Sequence, residues 1–221
     1  MKRPLPAATL AVIPLTLLAF TAVPGCNVIT PVAYAIHGPG KVEPVYTLDE
    51  TRKTVVLVDD PSSRITHRRL RYAVAEKATN ELLEKRILTD MLDPRGILTA
   101  AGSERFGEQM SISQLGESVG ADIVIYAVVT EFSLSPETGS YLPQANMRVK
   151  VVDVHSGQRL WPASESGHLM NVAIAQRPGV TPSNQTGDRL EIEQDLAQRT
   201  GLGLAQLFYK HEITETVLFG R

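Results

Sequence analysis

The chain has 221 residues, 43% of them apolar and about a fifth charged, which suits one ordinary buried-core domain with extra segments and argues against disorder. Its formal net charge is -2; leaving out the first 25 residues, with Lys2 and Arg3 and no acid, sets 20 basic residues against 24 acidic ones. A weakly acidic body excludes non-specific nucleic-acid binding, which needs a basic face to displace phosphate counterions. One cysteine makes no internal disulfide.

Met1-Lys2-Arg3 is a short basic head, followed by an apolar run from Ala7 to Val23 with Pro14 inside it. The run has the length of a signal-peptide core, and its proline weakens a spanning helix. The sole cysteine, Cys26, comes directly after Gly25. Val23-Pro24-Gly25-Cys26 resembles the lipobox of bacterial lipoprotein signal peptides, with Pro24 where the pattern carries a small residue. The resemblance implies cleavage after residue 25. It also implies a diacylglycerol on the Cys26 thiol and acyl chains of the palmitate class, since two or three chains hold firmly where one does not. The alternative is an uncleaved signal anchor; both put the body outside the cytoplasm on a membrane. Asn27 at the second position, in place of an aspartate, favours the outer over the inner membrane.

Residues 26–50 carry Pro31, Gly38, Pro39, Gly40 and Pro44 without a helical apolar period, and read as a membrane tether. A single α/β domain is expected over 51–221. Thr54 to Val58 is continuously apolar and β-branched, a strand covered on both faces. Asp59-Asp60-Pro61-Ser62-Ser63 ends it with turn chemistry. Leu70, Val74, Ala78 and Leu82 recur every four residues and predict a helix over 66–86. Ile87 to Leu92 is expected as a short second strand, and 95–110 as a short helix and loop.

Ser111 and Gln114 have capping-box spacing. Ile112, Leu115 and Val119 mark one helical face, and Gly120 suits a left-handed helix end. Ile123 to Val129 is a second buried strand, and Ser133 to Pro143 a hairpin connection. Met147, Val149 and Val151 alternate with Arg148 and Lys150, a strand with one wet face. His155 to Gln158 is a turn, and a partner strand runs from Arg159-Leu160-Trp161 toward Ala175. Residues 176–188 read as a loop, 190–210 as a helix, and 211–221 as a short edge strand or tail. The order β-α-β-α-α-β-β-β-α predicts an α/β (α+β) sandwich: one mixed, largely antiparallel sheet covered by helices.

Walker A, GxGxxG and G-x-S-x-G patterns are missing; Ala163-Ser164-Glu165-Ser166-Gly167 lacks both the first glycine and the nucleophile of the last. His211-Glu212-Ile213-Thr214-Glu215 begins like H-E-x-x-H, but Glu215 removes the second histidine ligand. No catalytic residue, metal or cofactor is expected. Asp59 and Asp60 stand where α/β folds often seat ligands, although turn chemistry accounts for them more simply. His67-Arg68-Arg69-Leu70-Arg71 is the one basic cluster. A solvated helix face is its simplest reading; contact of Arg68 and Arg71 with a partner or anionic headgroups is the other.

From about Lys53 to Trp161, TVVLVDDP, SISQLGESVGADIVIYAVVTEF and ANMRVKVVDVHSGQRLW resemble the curli-secretion (CsgG) and penicillin-binding-protein-activator (LpoB) lipoprotein superfamily, with its TolB-N-terminal-like core. Gly120-Ala121-Asp122 and Val152 to Gly157 occupy the superfamily's two turn positions. The resemblance implies an envelope protein that binds other envelope proteins or assembles, as a homo-oligomer in one version, in export or cell-wall maintenance, without catalysis. Two other functions stay open: an auxiliary lipoprotein of an envelope transporter, and an unrecognised enzyme with polar groups converging near Asp59, Asp60 or Asp122.

Overall fold

The structure is a computed structural model that describes residues 40–103, 110–135, 142–174 and 186–212. Its centre is a five-stranded mixed sheet between two helical layers, the α/β sandwich expected. The strands are β1 (Lys41–Val42), β2 (Thr54–Asp59), β3 (Ile123–Ser133), β4 (Gln144–Asp153), β5 (Arg159–Trp161), β6 (His168–Ala173) and β7 (His211–Glu212). The helices are α1 (Arg68–Glu84), α2 (Pro94–Ser103), α3 (Ile112–Ser118) and α4 (Thr186–Gln206).

β2 pairs with β3 in parallel, Thr54 opposite Ile123 through Asp59 opposite Val128. β3 and β4 are antiparallel, and β4 takes both β5 and β6 along its other edge. The parallel pair requires a crossover, which α1, α2 and α3 supply.

Burial explains the two strand patterns. α1 and α4 cover one face, where Val56, Val58, Ile125, Val149 and Met170 are sealed from solvent with Leu70, Val74 and Leu204. α2 and α3 cover the other face over β2, the start of β3 and the end of β4, through Val55, Leu57, Ile97, Leu115, Val124 and Val154. Every residue from Thr54 to Val58 is therefore buried, whereas Arg148 and Lys150 of β4 are half-exposed. Each fully buried Val, Leu or Ile side chain contributes about 1.5–3 kcal/mol.

Two close approaches set the layer spacing. A Cβ on Gly201 of α4 would stand 2.5 Å from the Val74 carbonyl oxygen of α1, and one on Gly116 of α3 would stand 2.5 Å from Val154 Cγ2. Between α1 and the chain that follows α4, Glu81 accepts a hydrogen bond from Tyr209 Oη at 3.0 Å. Burial raises the Glu81 pKa, but the bonds from Lys77 and Tyr209 outweigh it and hold the carboxyl below its ordinary value.

Several local expectations are met. Ser111 and Gln114 form the reciprocal capping box at the start of α3. Gly120 and Gly157 have φ of 74° and 67°. Three expectations differ. The strand at Ile87–Leu92 reduces to one parallel bridge, Met91 with Thr54, because Pro94 begins α2 immediately afterwards. The strand from Arg159 toward Ala175 divides into β5 and β6, separated by Pro162 and by Gly167 at φ 84°. From Lys41 onward the segment before Glu50 lies on the domain: β1 pairs with β7, Leu48 is buried, and Tyr46 packs against Trp161. Residues 1–39, most of the 176–188 loop and the tail after Glu212 lie outside the described residues.

Candidate functional site

Polar side chains gather at the two ends of the sheet. Where β2 and β3 begin and β4 ends, Asp122 Oδ2 accepts from the Lys53 backbone N–H at 2.9 Å, and Oδ1 pairs with His155 Nε2 at 3.0 Å. The Lys53 bond, then His155, holds the Asp122 carboxyl below its ordinary range. Asp153 accepts from the Ser156 backbone N–H at 2.8 Å and Oγ at 2.9 Å, and from Arg52 Nη2 at 2.7 Å. These bonds, the Ser156 backbone bond foremost and then Arg52, lower its pKa to about 2. Both turn motifs of the sequence thus meet here, as a brace across three strands.

The other end, after β2, holds a cavity of about 540 Å³. Asp59, Asp60, Arg68, Arg71, Ser111 and Tyr126 are among its walls. Asp60 is 8% exposed and accepts from the Arg64 and Ile65 backbone N–H groups, each at 2.8 Å. It locks the turn that carries Ser63 at φ 52° and leads to α1. Tyr126 donates to Asp59 at 2.7 Å from the neighbouring strand. Asp59, Asp60, Arg68 and Arg71 therefore converge on one concavity, while Asp122 lies with the brace.

A second groove of about 340 Å³ adjoins this cavity through Arg68, Arg71, Leu98 and Gly102. It adds Arg69, and Arg95 of α2, whose guanidinium carbon stands 4.6 Å from the centre of the Tyr72 ring. Sequence reasoning missed Arg95: it lies in a stretch without clear period, 24 residues beyond Arg71, and only the packing of α2 on α1 brings it over.

At the far edge of the sheet, Trp161 packs against Tyr46 and His168 in tilted contacts and against Phe208 edge to face, at ring separations of 5.9, 4.8 and 6.3 Å. Trp161 thereby anchors β5 to the segment before β2 and to the chain after α4, and burial lowers the His168 pKa. His211 and Glu212 lie on a strand, not on a helix that would present two ligands one turn apart. Among the described residues, no group of three or more His, Cys, Asp or Glu side chains is placed to hold a metal ion. No described helix is long and apolar enough to cross a membrane. Cys26 lies outside the described residues.

No protein-family model matches the chain, and no curated protein is similar to it in sequence. Among solved structures it is similar to the PelC dodecamer from Paraburkholderia phytofirmans, at 13% identity and a TM-score of 0.41, over 77% of this chain and 96% of that one. It is also similar to the lipoprotein GNA1162 from Neisseria meningitidis, at 16% identity and a TM-score of 0.36, over 66% of this chain and 94% of that one. The LpoB C-terminal domain from Salmonella enterica superposes with 14% identity and a TM-score of 0.33, over 66% and 94%. Its structural neighbours thus include bacterial lipoproteins; with scores below 0.5, they carry no weight in the functional argument.

Proposed function

We propose that the chain is a membrane-anchored envelope lipoprotein of the CsgG/LpoB-like superfamily, held by acyl chains on Cys26. It acts as a non-catalytic binding or assembly module in export or cell-wall maintenance. The observation that carries the reading is how the fold spends its acids. Asp60, Asp122 and Asp153 each accept backbone N–H bonds that fix a turn or a strand register. A carboxylate occupied in this way is a poor general base, since those bonds compete with a substrate proton. The superfamily's turn positions are filled by the residues that make the brace, and TAVPGCNVIT supplies the anchor signal. Asn27 favours the outer membrane.

The test is the mass of the mature chain produced in a Gram-negative host. The expected product begins at Cys26 and carries a diacylglyceryl group with a further acyl chain, while Cys26→Ala stays unprocessed and unacylated. A wild-type chain with an intact leader and a free Cys26 thiol would sink the anchor, and turnover that depends on Asp59 would sink the non-catalytic reading.

A further inference from the structure

The strongest unclaimed chemistry lies where α1 meets α2. Arg68, Arg69 and Arg71 fall in the first turn of α1, and Arg95 in the first turn of α2; all four line the 340 Å³ groove. Arg68 and Arg69 are exposed and have no carboxylate partner among the described residues. The backbone adds charge of the same sign: the first turn of α1 contains no acid, and its N-cap, His67, makes no side-chain cap. Asp59 and Asp60 stand beside Arg68 and Arg71 in the adjoining cavity, but no described carboxylate lines the groove itself, where the guanidinium groups and a positive helix end leave a surplus of positive charge that an anion relieves.

Two of the four are already placed by their neighbours. Arg95 lies over the Tyr72 ring, and Arg68 packs so near α2 that a Cβ on Gly102 would stand 3.2 Å from its Nη2. The cations of this groove are all arginines. Their planar forks match pairs of phosphate oxygens in a way that lysine does not.

We propose that Arg68, Arg69, Arg71 and Arg95 form a binding site for a phosphate group, carried by an anionic glycerophospholipid headgroup or by a soluble phosphorylated ligand. The site goes beyond the lipoprotein reading and does not depend on acylation of Cys26.

The test is calorimetric titration of the full chain in non-ionic detergent with sodium pyrophosphate, dihexanoyl phosphatidylglycerol and dihexanoyl phosphatidylcholine. Saturable binding of pyrophosphate identifies a soluble phosphorylated ligand as a sufficient source. Binding of the phosphatidylglycerol alone identifies the headgroup. The zwitterionic lipid is expected not to bind. Charge-assisted bonds are strong enough that Arg68→Gln with Arg69→Gln should weaken binding about tenfold or more. Arg95→Gln is a second variant that leaves the start of α1 untouched, and it should weaken binding as well. Arg199→Gln on α4 is the control and should leave binding unchanged. Failure of both anions to bind, binding undiminished in both groove variants, or equal weakening in Arg199→Gln would overturn the proposal.

Discussion

Arg52 and Asp153, 101 residues apart in sequence, meet at 2.7 Å, and the same Arg52 nitrogen donates to the Asp122 carbonyl at 3.0 Å. One side chain just before β2 thereby touches the start of β3 and the end of β4. The contact fixes which strand ends lie level in a sheet whose parallel and antiparallel pairs have no short loop to align them all.

Because the Asp153 carboxyl titrates at about 2 in the folded protein against an ordinary 3.8, the folded state binds fewer protons over that window. The stabilisation is fully present above about pH 5 and is lost as pH falls through about 2. Asp153→Asn should cost about 1–2 kcal/mol at pH 7, with the difference from wild type closing toward pH 2. Denaturant melts at several pH values check both the size and the convergence.

Gly201→Ala should destabilise the fold, although alanine is the better helix former by about 1 kcal/mol. The added Cβ would stand 2.5 Å from the Val74 oxygen and 2.7 Å from Lys77 Cβ, so α4 must move away from α1. Overpacking of this kind costs about 1–3 kcal/mol. A denaturation midpoint above that of wild type would refute this account of the α1–α4 contact.

Arg86 closes α1 at φ 55°, where its N–H bonds the Leu83 carbonyl and the next residue, Ile87, bonds that of Leu82. A non-glycine residue is strained there by about 1 kcal/mol, and Arg86 is exposed. Arg86→Gly should therefore raise stability by about 0.5–1 kcal/mol, read as a higher midpoint with an unchanged denaturant slope.

His168 packs against Trp161 and is pushed below its ordinary pKa of 6.5 by burial. The unfolded chain protonates first, so stability declines as pH drops below about 6.5. His168→Phe keeps the aromatic contact and should flatten this part of the pH profile between about pH 7 and 5. Trp161, the only tryptophan, reports the melt directly.

Much of the fold was legible wherever side-chain periodicity records the solvent. Thr54 to Val58 is buried throughout because helices cover both its faces, and β4 alternates up to Lys150 because α2 and α3 reach only its end. The Ser111 cap and the turns at Gly120 and Gly157 were legible because their chemistry is local. Contacts made by a single side chain across a hundred residues leave no period, so the Arg52 brace and the Glu81–Tyr209 bond were invisible. The candidate site was half legible. Arg68 and Arg71 stand out as a cluster, but Arg95 joins them only through packing between helices.

The pairing of Lys41 with Glu212 and of Val42 with His211 makes the domain nearly a closed ring. Residues paired across an antiparallel ladder lie about 5 Å apart, a gap that a few added residues span. A circular permutant that joins Glu212 to Lys41 and opens the chain at exposed Glu165, between β5 and β6, would retain every described helix and strand. It would also free the position before Lys41 from the rest of the N-terminal chain. The folded body could then be presented from a different point on its surface, its sheet and arginine groove unaltered.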